Sequence, residues 1–239
     1  MPEKEEGSLI LNVDTLHSPF AEAYRALRAN VSFSSVDERV RSVAVTSAAA
    51  GEGKTTTAIN LAIIMAQADP RVLLVDADFR RPAVHEAMGL WPDRHAPPPG
   101  LSNVVVGTAK LEDVILRTPF VNLGVVPAGA IPPNPNELLG SQRMRAVMNE
   151  LEEMADIVLI DTPPCLPYSD AFVISRLVDG VLYVLRAGAQ NKTAQRRVQR
   201  QLEQSKVRLL GVVFNRVDVD GSSSAYDYYN YQSNGRRRK

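Results

Sequence analysis

The chain predicts an α/β fold of three layers, with a mostly parallel central sheet between two layers of helices. Three observations predict it. Short apolar or β-branched runs (Ser42–Thr46, Val72–Val75, Ile157–Ile160) recur along the 239 residues, separated by helix-like stretches. Strands buried on both faces read as continuous apolar runs, and their alternation with helices implies right-handed crossovers and parallel pairing. Two of these runs deliver an acid at their C-terminal end, Asp76 and Asp161, the edge of an open parallel sheet at which ligands bind. Between the first run and a long apolar helix lies Ser47–Thr57, SAAAGEGKTTT. Strand, glycine-containing turn and helix in that order frame a phosphate-binding loop, or P-loop.

The elements follow in order. Residues 1–17 read as an arm, partly ordered by Leu9-Ile10-Leu11, and Ser18-Pro19 supplies an N-cap and first-turn proline for a helix to about Ser34. On that helix Glu22, Arg25 and Arg28 share one face; spacing alone makes them a solvated charged stripe. The first strand, the P-loop and the Ala58–Ala68 helix lead to Arg71–Asp76. Asp76, Asp78, Arg80 and Arg81 crowd the end of that second strand. The prolines of WPDRHAPPPG forbid regular structure. Short helices near Leu101–Val106 and Leu111–Leu116 precede a strand at Asn122–Val126, and IPPNPNELLGS precedes one helix from about Asn136 to Met154. Asp156–Asp161 is the next buried strand, followed by Thr162-Pro163-Pro164; Ser169 or Asp170 can cap a short helix to about Leu177. A strand at Gly180–Leu185, a helix at Lys192–Gln204 and a strand at Arg208–Phe214 close the domain.

Composition bounds the function. The length suits one large α/β domain. Lys plus Arg equal Asp plus Glu at 27 each, so overall charge predicts neither nucleic acid nor a membrane surface as partner. A single cysteine, Cys165, excludes an internal disulfide and suits a reducing compartment. No long apolar segment or signal-peptide pattern occurs, so the chain is expected neither to span a membrane nor to enter a secretory route by itself. His17, His85 and His95 are scattered, with no cysteine cluster to make a zinc site.

The chemistry gathers at the P-loop. Gly51 and Gly53 would turn backbone N–H groups onto phosphate oxygens, helped by the helix N-terminus behind them. Glu52 and Thr56 complete the loop. Lys54 would reach the β- and γ-phosphates and the Thr55 hydroxyl would ligate Mg²⁺, a cation that prefers oxygen ligands. The strict pattern G-x-x-x-x-G-K-[ST] fails only at its first position, Ala48. Asp161 closes a strand of the Walker B form, whose carboxylate holds the metal directly or through water. Asn215, just past the last strand, is positioned to read an adenine edge.

After Val219 the composition changes. Gly221–Lys239 holds no Ile, Leu, Val, Phe or Met, so it cannot bury a core and is expected to be disordered in isolation. It carries Tyr226, Tyr228, Tyr229 and Tyr231, four of the seven tyrosines in the chain. They read either as a segment that docks on a partner or as a set of phosphate acceptors.

Taken together, GEGKT at Gly51–Thr55, LLVDADFRRP at Leu73–Pro82, VLIDTPP at Val158–Pro164, PPNPNELL at Pro132–Leu139, EAYRALRAN at Glu22–Asn30 and the tyrosine-rich tail resemble the bacterial tyrosine kinases of capsule and exopolysaccharide export. The resemblance implies a P-loop kinase domain at 18–219, including an N-terminal oligomerisation helix, between an arm at 1–17 and a flexible tail at 220–239. It implies ATP and Mg²⁺ as cofactors, with Lys54, Asp76, Asp78 and Asp161 catalytic and Thr55, Asp78 and Asp161 around the metal. Asp76 is expected to accept or orient the tyrosine proton. The tail tyrosines become phosphoacceptors, served in trans within a ring whose subunits meet through Glu22, Arg25 and Arg28. Further partners implied are protein tyrosine substrates and a membrane-anchored polysaccharide co-polymerase that activates the kinase, with no nucleic acid; the expected location is cytoplasmic, peripheral to the inner face of the membrane through that partner. A non-kinase ATPase switch of the partition or septum-positioning type shares the sheet and the acids. It would leave the tail idle, and its signature lysine is absent, Ala49 standing there.

Overall fold

The structure is a computed structural model that describes residues 9–34, 40–68, 70–91, 93, 96–188 and 192–217. The tail tyrosines lie outside them. A 3₁₀ turn at Val13–Thr15 precedes helix α1 (Pro19–Phe33), whose N-cap Ser18 accepts a hydrogen bond from the Ala21 amide at 3.2 Å, as its Ser-Pro start predicts. Then come β1 (Ser42–Ser47), α2 (Lys54–Ala66), β2 (Val72–Asp76), α3 (Val84–Ala87), α4 (Leu101–Val106), α5 (Leu111–Val114), β3 (Leu116–Arg117) and β4 (Leu123–Val126). The second half adds α6 (Pro135–Leu139), α7 (Gln142–Met154), β5 (Ile157–Asp161), α8 (Asp170–Ile174), β6 (Gly180–Arg186), α9 (Lys192–Gln204) and β7 (Leu209–Asn215).

Two departures from the sequence reading have local causes. The single helix expected over 136–154 is two, because Gly140-Ser141 ends α6 and Ser141 recaps the chain by accepting from the Met144 amide at 3.1 Å. The two-residue β3, antiparallel to β4, was not anticipated; it is too short to carry a period.

Seven strands form one sheet in the order β3-β4-β2-β5-β1-β6-β7, every pair but β3–β4 parallel. Within each continuous apolar run, alternate residues enter opposite layers. Val43, Val45, Leu74, Leu159, Leu182 and Val184 join the core beneath α1 and α2, whereas Ala44, Val75, Ile160 and Val181 join the one beneath α4 and α7. The register sets Asp161 beside Asp76 on one side and Val45 on the other, so both strand-end acids stand level with the root of the P-loop.

The described part of the arm, from Leu9 onward, is docked on α2. Leu11 is buried, its amide donates to Asn60 Oδ1 at 2.8 Å, and Asn60 Nδ2 donates to the Leu9 carbonyl at 2.9 Å. Among the described residues no helix is long and apolar enough to cross a membrane.

Candidate active site

The loop between β1 and α2 is built on two left-handed glycines, Gly51 (φ +80°) and Gly53 (φ +94°). Gly53 has a second reason to be glycine, because a Cβ there would stand 1.9 Å from Asn215 Nδ2. Glu52 is buried, and its carboxylate accepts from the Ala49 amide at 3.0 Å, bracing the loop from within. Below the loop, the turn after β5 is tied to β1: Thr162 Oγ1 donates to the Val45 carbonyl at 2.9 Å and Thr46 Oγ1 to that of Pro163 at 3.0 Å. Cys165 packs here, its thiol pushed up to about 12 by burial, which marks a packing residue.

Lys54 opens α2 with its ammonium turned toward the acids, 2.8 Å from Asp78 Oδ2 and 3.5 Å from Asp161 Oδ2. Burial alone would lower its pKa; the charges of Asp161 and Asp78 outweigh that and hold it above its ordinary value. The Thr55 hydroxyl donates to Asp161 Oδ2 at 2.7 Å. Burial raises the Asp161 carboxyl against the pull of Lys54, and burial, followed by the charge of Asp161, pushes Asp76 up to about 7. Two carboxylates thus share one ammonium, with a third, that of Asp76, buried close behind them.

That surplus of negative charge, the Thr55 hydroxyl and the buried, unpartnered Asp161 Oδ1 form a hard-oxygen donor set that fits Mg²⁺. Among the described residues no group of three or more His, Cys, Asp or Glu side chains could hold a metal by itself. Mg²⁺ in phosphate sites takes one or two carboxylates and completes its shell with phosphate and water.

A cavity of about 670 Å³ opens over this cluster, lined by Gly51, Lys54, Thr55 and Asp78 among others. Asp76 is not among its lining residues. Its side chain is wholly buried, with Oδ1 accepting from the Asp78 amide at 3.1 Å and Oδ2 from those of Ala83 and Val84 at 3.0 and 3.1 Å. In this conformation the Asp76 oxygens hold the turn that carries Asp78, and reaching a substrate proton would require that turn to open. Asn215 is engaged as well. Its Nδ2 donates to the Glu52 carbonyl at 3.0 Å and its Oδ1 accepts from the Arg216 amide at 3.0 Å, so it braces the P-loop, and Arg216 lines the cavity in its place.

Sequence reasoning missed one network. Asp170, suggested as a helix cap, instead takes a two-pronged bond from Arg80, Nε to Oδ2 at 2.7 Å and Nη2 to Oδ1 at 3.2 Å, while Asn136 Nδ2 donates to Oδ1 at 3.0 Å. The crowding of arginines behind Asp76 was the available signal. On α1, far from the cavity, Arg25 bonds Glu22 and donates to the Leu16 carbonyl at 2.6 Å, and Arg28 donates to that of Ile64 at 3.3 Å. The stripe is thus already engaged within the chain, although Glu22 keeps 67% of its side-chain surface exposed.

An AAA domain model matches residues 40–184. The tyrosine-protein kinase YwqD of Bacillus subtilis (strain 168) is 38% identical over 214 residues, 90% of this chain and 88% of that one. The crystal structure of the chimerical protein CapA2B2 superposes with a TM-score of 0.83 at 34% identity, covering 90% of this chain and 92% of that one. The septum site-determining protein MinD of Pyrococcus horikoshii OT3, complexed with Mg-ADP, is more distant, with a TM-score of 0.61 at 26% identity over 77% of this chain and 72% of that one. P-loop neighbours thus bind adenine nucleotide with magnesium, but the relative alike in sequence along nearly its whole length is a tyrosine kinase. By fold, by the Lys54–Asp78–Asp161 cluster and by that similarity, this chain belongs to the bacterial tyrosine kinases and is a protein-tyrosine kinase.

Proposed function

We propose that the chain transfers the γ-phosphoryl group of ATP to Tyr226, Tyr228, Tyr229 and Tyr231 of a neighbouring copy, and through that cycle regulates capsular polysaccharide or exopolysaccharide synthesis and export. The observation that carries the chemistry is the convergence of Lys54, Thr55, Asp78 and Asp161 beneath a P-loop cavity, with Lys54 Nζ 2.8 Å from Asp78.

Phosphoryl transfer asks a protein for positioning and charge neutralisation more than for covalent chemistry. The amides of Gly51–Thr56 and the start of α2 would hold the β- and γ-phosphates. Lys54 would exchange its carboxylate partners for γ-phosphate oxygens. Thr55 Oγ1, Asp78 and Asp161 would hold Mg²⁺, which when bound would supply charge neutralisation to the phosphates. As the phosphorus bonds to the phenolic oxygen, its bond to the ADP oxygen breaks and the phenolic proton passes to solvent at the open cavity. Asp76 serves this step by holding the turn that aims Asp78 at Lys54.

Transfer in trans is supported by reach, because about twenty residues at roughly 3.3 Å each extend about 60 Å. The ring through α1, the membrane-anchored co-polymerase activator and the location at the inner membrane face rest on the family resemblance. Each phosphotyrosine adds about 1.5 to 2 negative charges, so loaded tails repel and the assembly should dissociate.

Intact-mass spectrometry after incubation with ATP and Mg²⁺ tests the reading. Successive phosphate additions are expected in wild type and none in Lys54→Met or in the chain with all four tail tyrosines changed to Phe. Steady ATP hydrolysis without any added phosphate, even with the activator's cytosolic segment present, would move the assignment to an ATPase switch.

A further inference from the structure

We propose that Arg80 and Tyr168 form the wall against which the ring of the accepting tyrosine lies. This rests on the chain being a tyrosine kinase, not on which tyrosine is its natural acceptor. Both side chains line the cavity above Lys54. The Arg80 guanidinium sits 4.1 Å from the centroid of the Tyr168 ring, and its far edge is fixed by the two bonds to Asp170, a fully buried acid steadied by Asn136. Among the described residues its Nη1 makes no side-chain hydrogen bond.

This is more construction than a surface ion pair needs. A buried acid, an amide and an aromatic ring together aim one planar cation along the cavity side. A guanidinium stacked on one ring offers its opposite face to a second ring, and arginine is the cation that stacks best.

Sheet order says which ligand arrives there. β2 and β5, which carry Arg80 and Tyr168 beyond their ends, lie on one side of β1, whereas β6 and β7 lie on the other, with Arg216 just past β7. The phosphate loop follows β1, between them. In-line transfer sets the attacking and leaving oxygens on opposite sides of the phosphorus. Lys54 meets Asp78 and Asp161 on the β2–β5 side, which puts the terminal phosphate there, directs the nucleoside toward Arg216 and leaves the Arg80–Tyr168 side to the acceptor. The ligand class is a tyrosyl side chain in a peptide, and Arg80 and Arg81 at the same cavity favour acidic neighbours such as the Asp227 that follows Tyr226.

The test uses the full-length chain carrying the four tail Tyr→Phe changes, with a random Glu–Tyr copolymer as acceptor, and measures KM and kcat for the copolymer beside the Kd of a non-hydrolysable ATP analogue with Mg²⁺. Tyr168→Ala should raise the copolymer KM about five- to tenfold with the analogue Kd shifted less than twofold, and Tyr168→Phe should restore the KM. Arg80→Lys, which keeps charge but not the plane, should reproduce the rise and stands in if Tyr168→Ala does not fold. An unchanged KM, or a weakened nucleotide Kd with KM intact, overturns the wall. Failure of the wild-type chain to phosphorylate its own tail while it still phosphorylates the copolymer would refute only the tail as acceptor.

Discussion

Two sets of charged residues are conspicuous in the sequence, and the fold treats them in opposite ways. Glu22, Arg25 and Arg28 come from one helix and find partners close by: each other, the Leu16 carbonyl and the last turn of α2. Lys54, Asp76, Asp78 and Asp161 come from three elements distant in sequence and meet in a nearly dry corner. A helix-surface pair is worth a few tenths of a kcal/mol, because water competes for both charges. In the largely buried corner water competes far less, so each carboxylate depends on its amide, hydroxyl or ammonium partners. Removing or adding a single charge there changes the whole group.

Lys54→Met should have the largest effect, lowering phosphate incorporation about a hundred- to a thousandfold and reducing unfolding free energy by about 3 kcal/mol, read by mass spectrometry and denaturant titration. If stability held while activity fell, the acids would not depend on the ammonium as argued. Next comes Asp76→Asn, whose amide must turn an N–H₂ toward backbone donors; a loss of about 1 to 2 kcal/mol is expected, and a neutral result would show the Asp78, Ala83 and Val84 amides to be satisfied otherwise. Arg28→Ala removes a cation from the C-terminal turn of α2 and should cost about 0.5 kcal/mol. Glu22→Ala, exposed, should leave the melting temperature of the monomer within a degree or two, so any drop in assembly size seen by light scattering would belong to contacts between subunits.

Cys165 gives an effect confined to alkaline pH, with a clear sign. With its thiol raised from 9.0 to about 12, the folded state keeps a proton that the unfolded state loses, so this contribution to stability is whole below pH 9 and lost as pH rises from 9 toward 12. Alkylation at pH 8 should proceed only in denaturant. Rapid labelling of the native chain would show that the corner beneath the P-loop opens.

The same contrast explains what was legible. The buried parallel strands announced themselves because burial on both faces leaves no alternation to blur, and the loop and its acids because their spacing is local. Asp170 could not be paired with Arg80, nor Asn215 with Glu52, because the partners are far apart in sequence and no local pattern distinguishes a buried acid from a cap. The α6–α7 break was hidden for another reason: the residues around Gly140-Ser141 all favour helix, and the interruption rests on one serine hydroxyl.

Asn60 has a mechanical consequence. It grips the arm at Leu9 and Leu11 from the same rod whose first residue is Lys54. Six residues of helix, about 9 Å, separate the strap from the ammonium. A pull on the arm at Leu9 would therefore be carried toward the phosphate loop along the hydrogen-bonded backbone of α2.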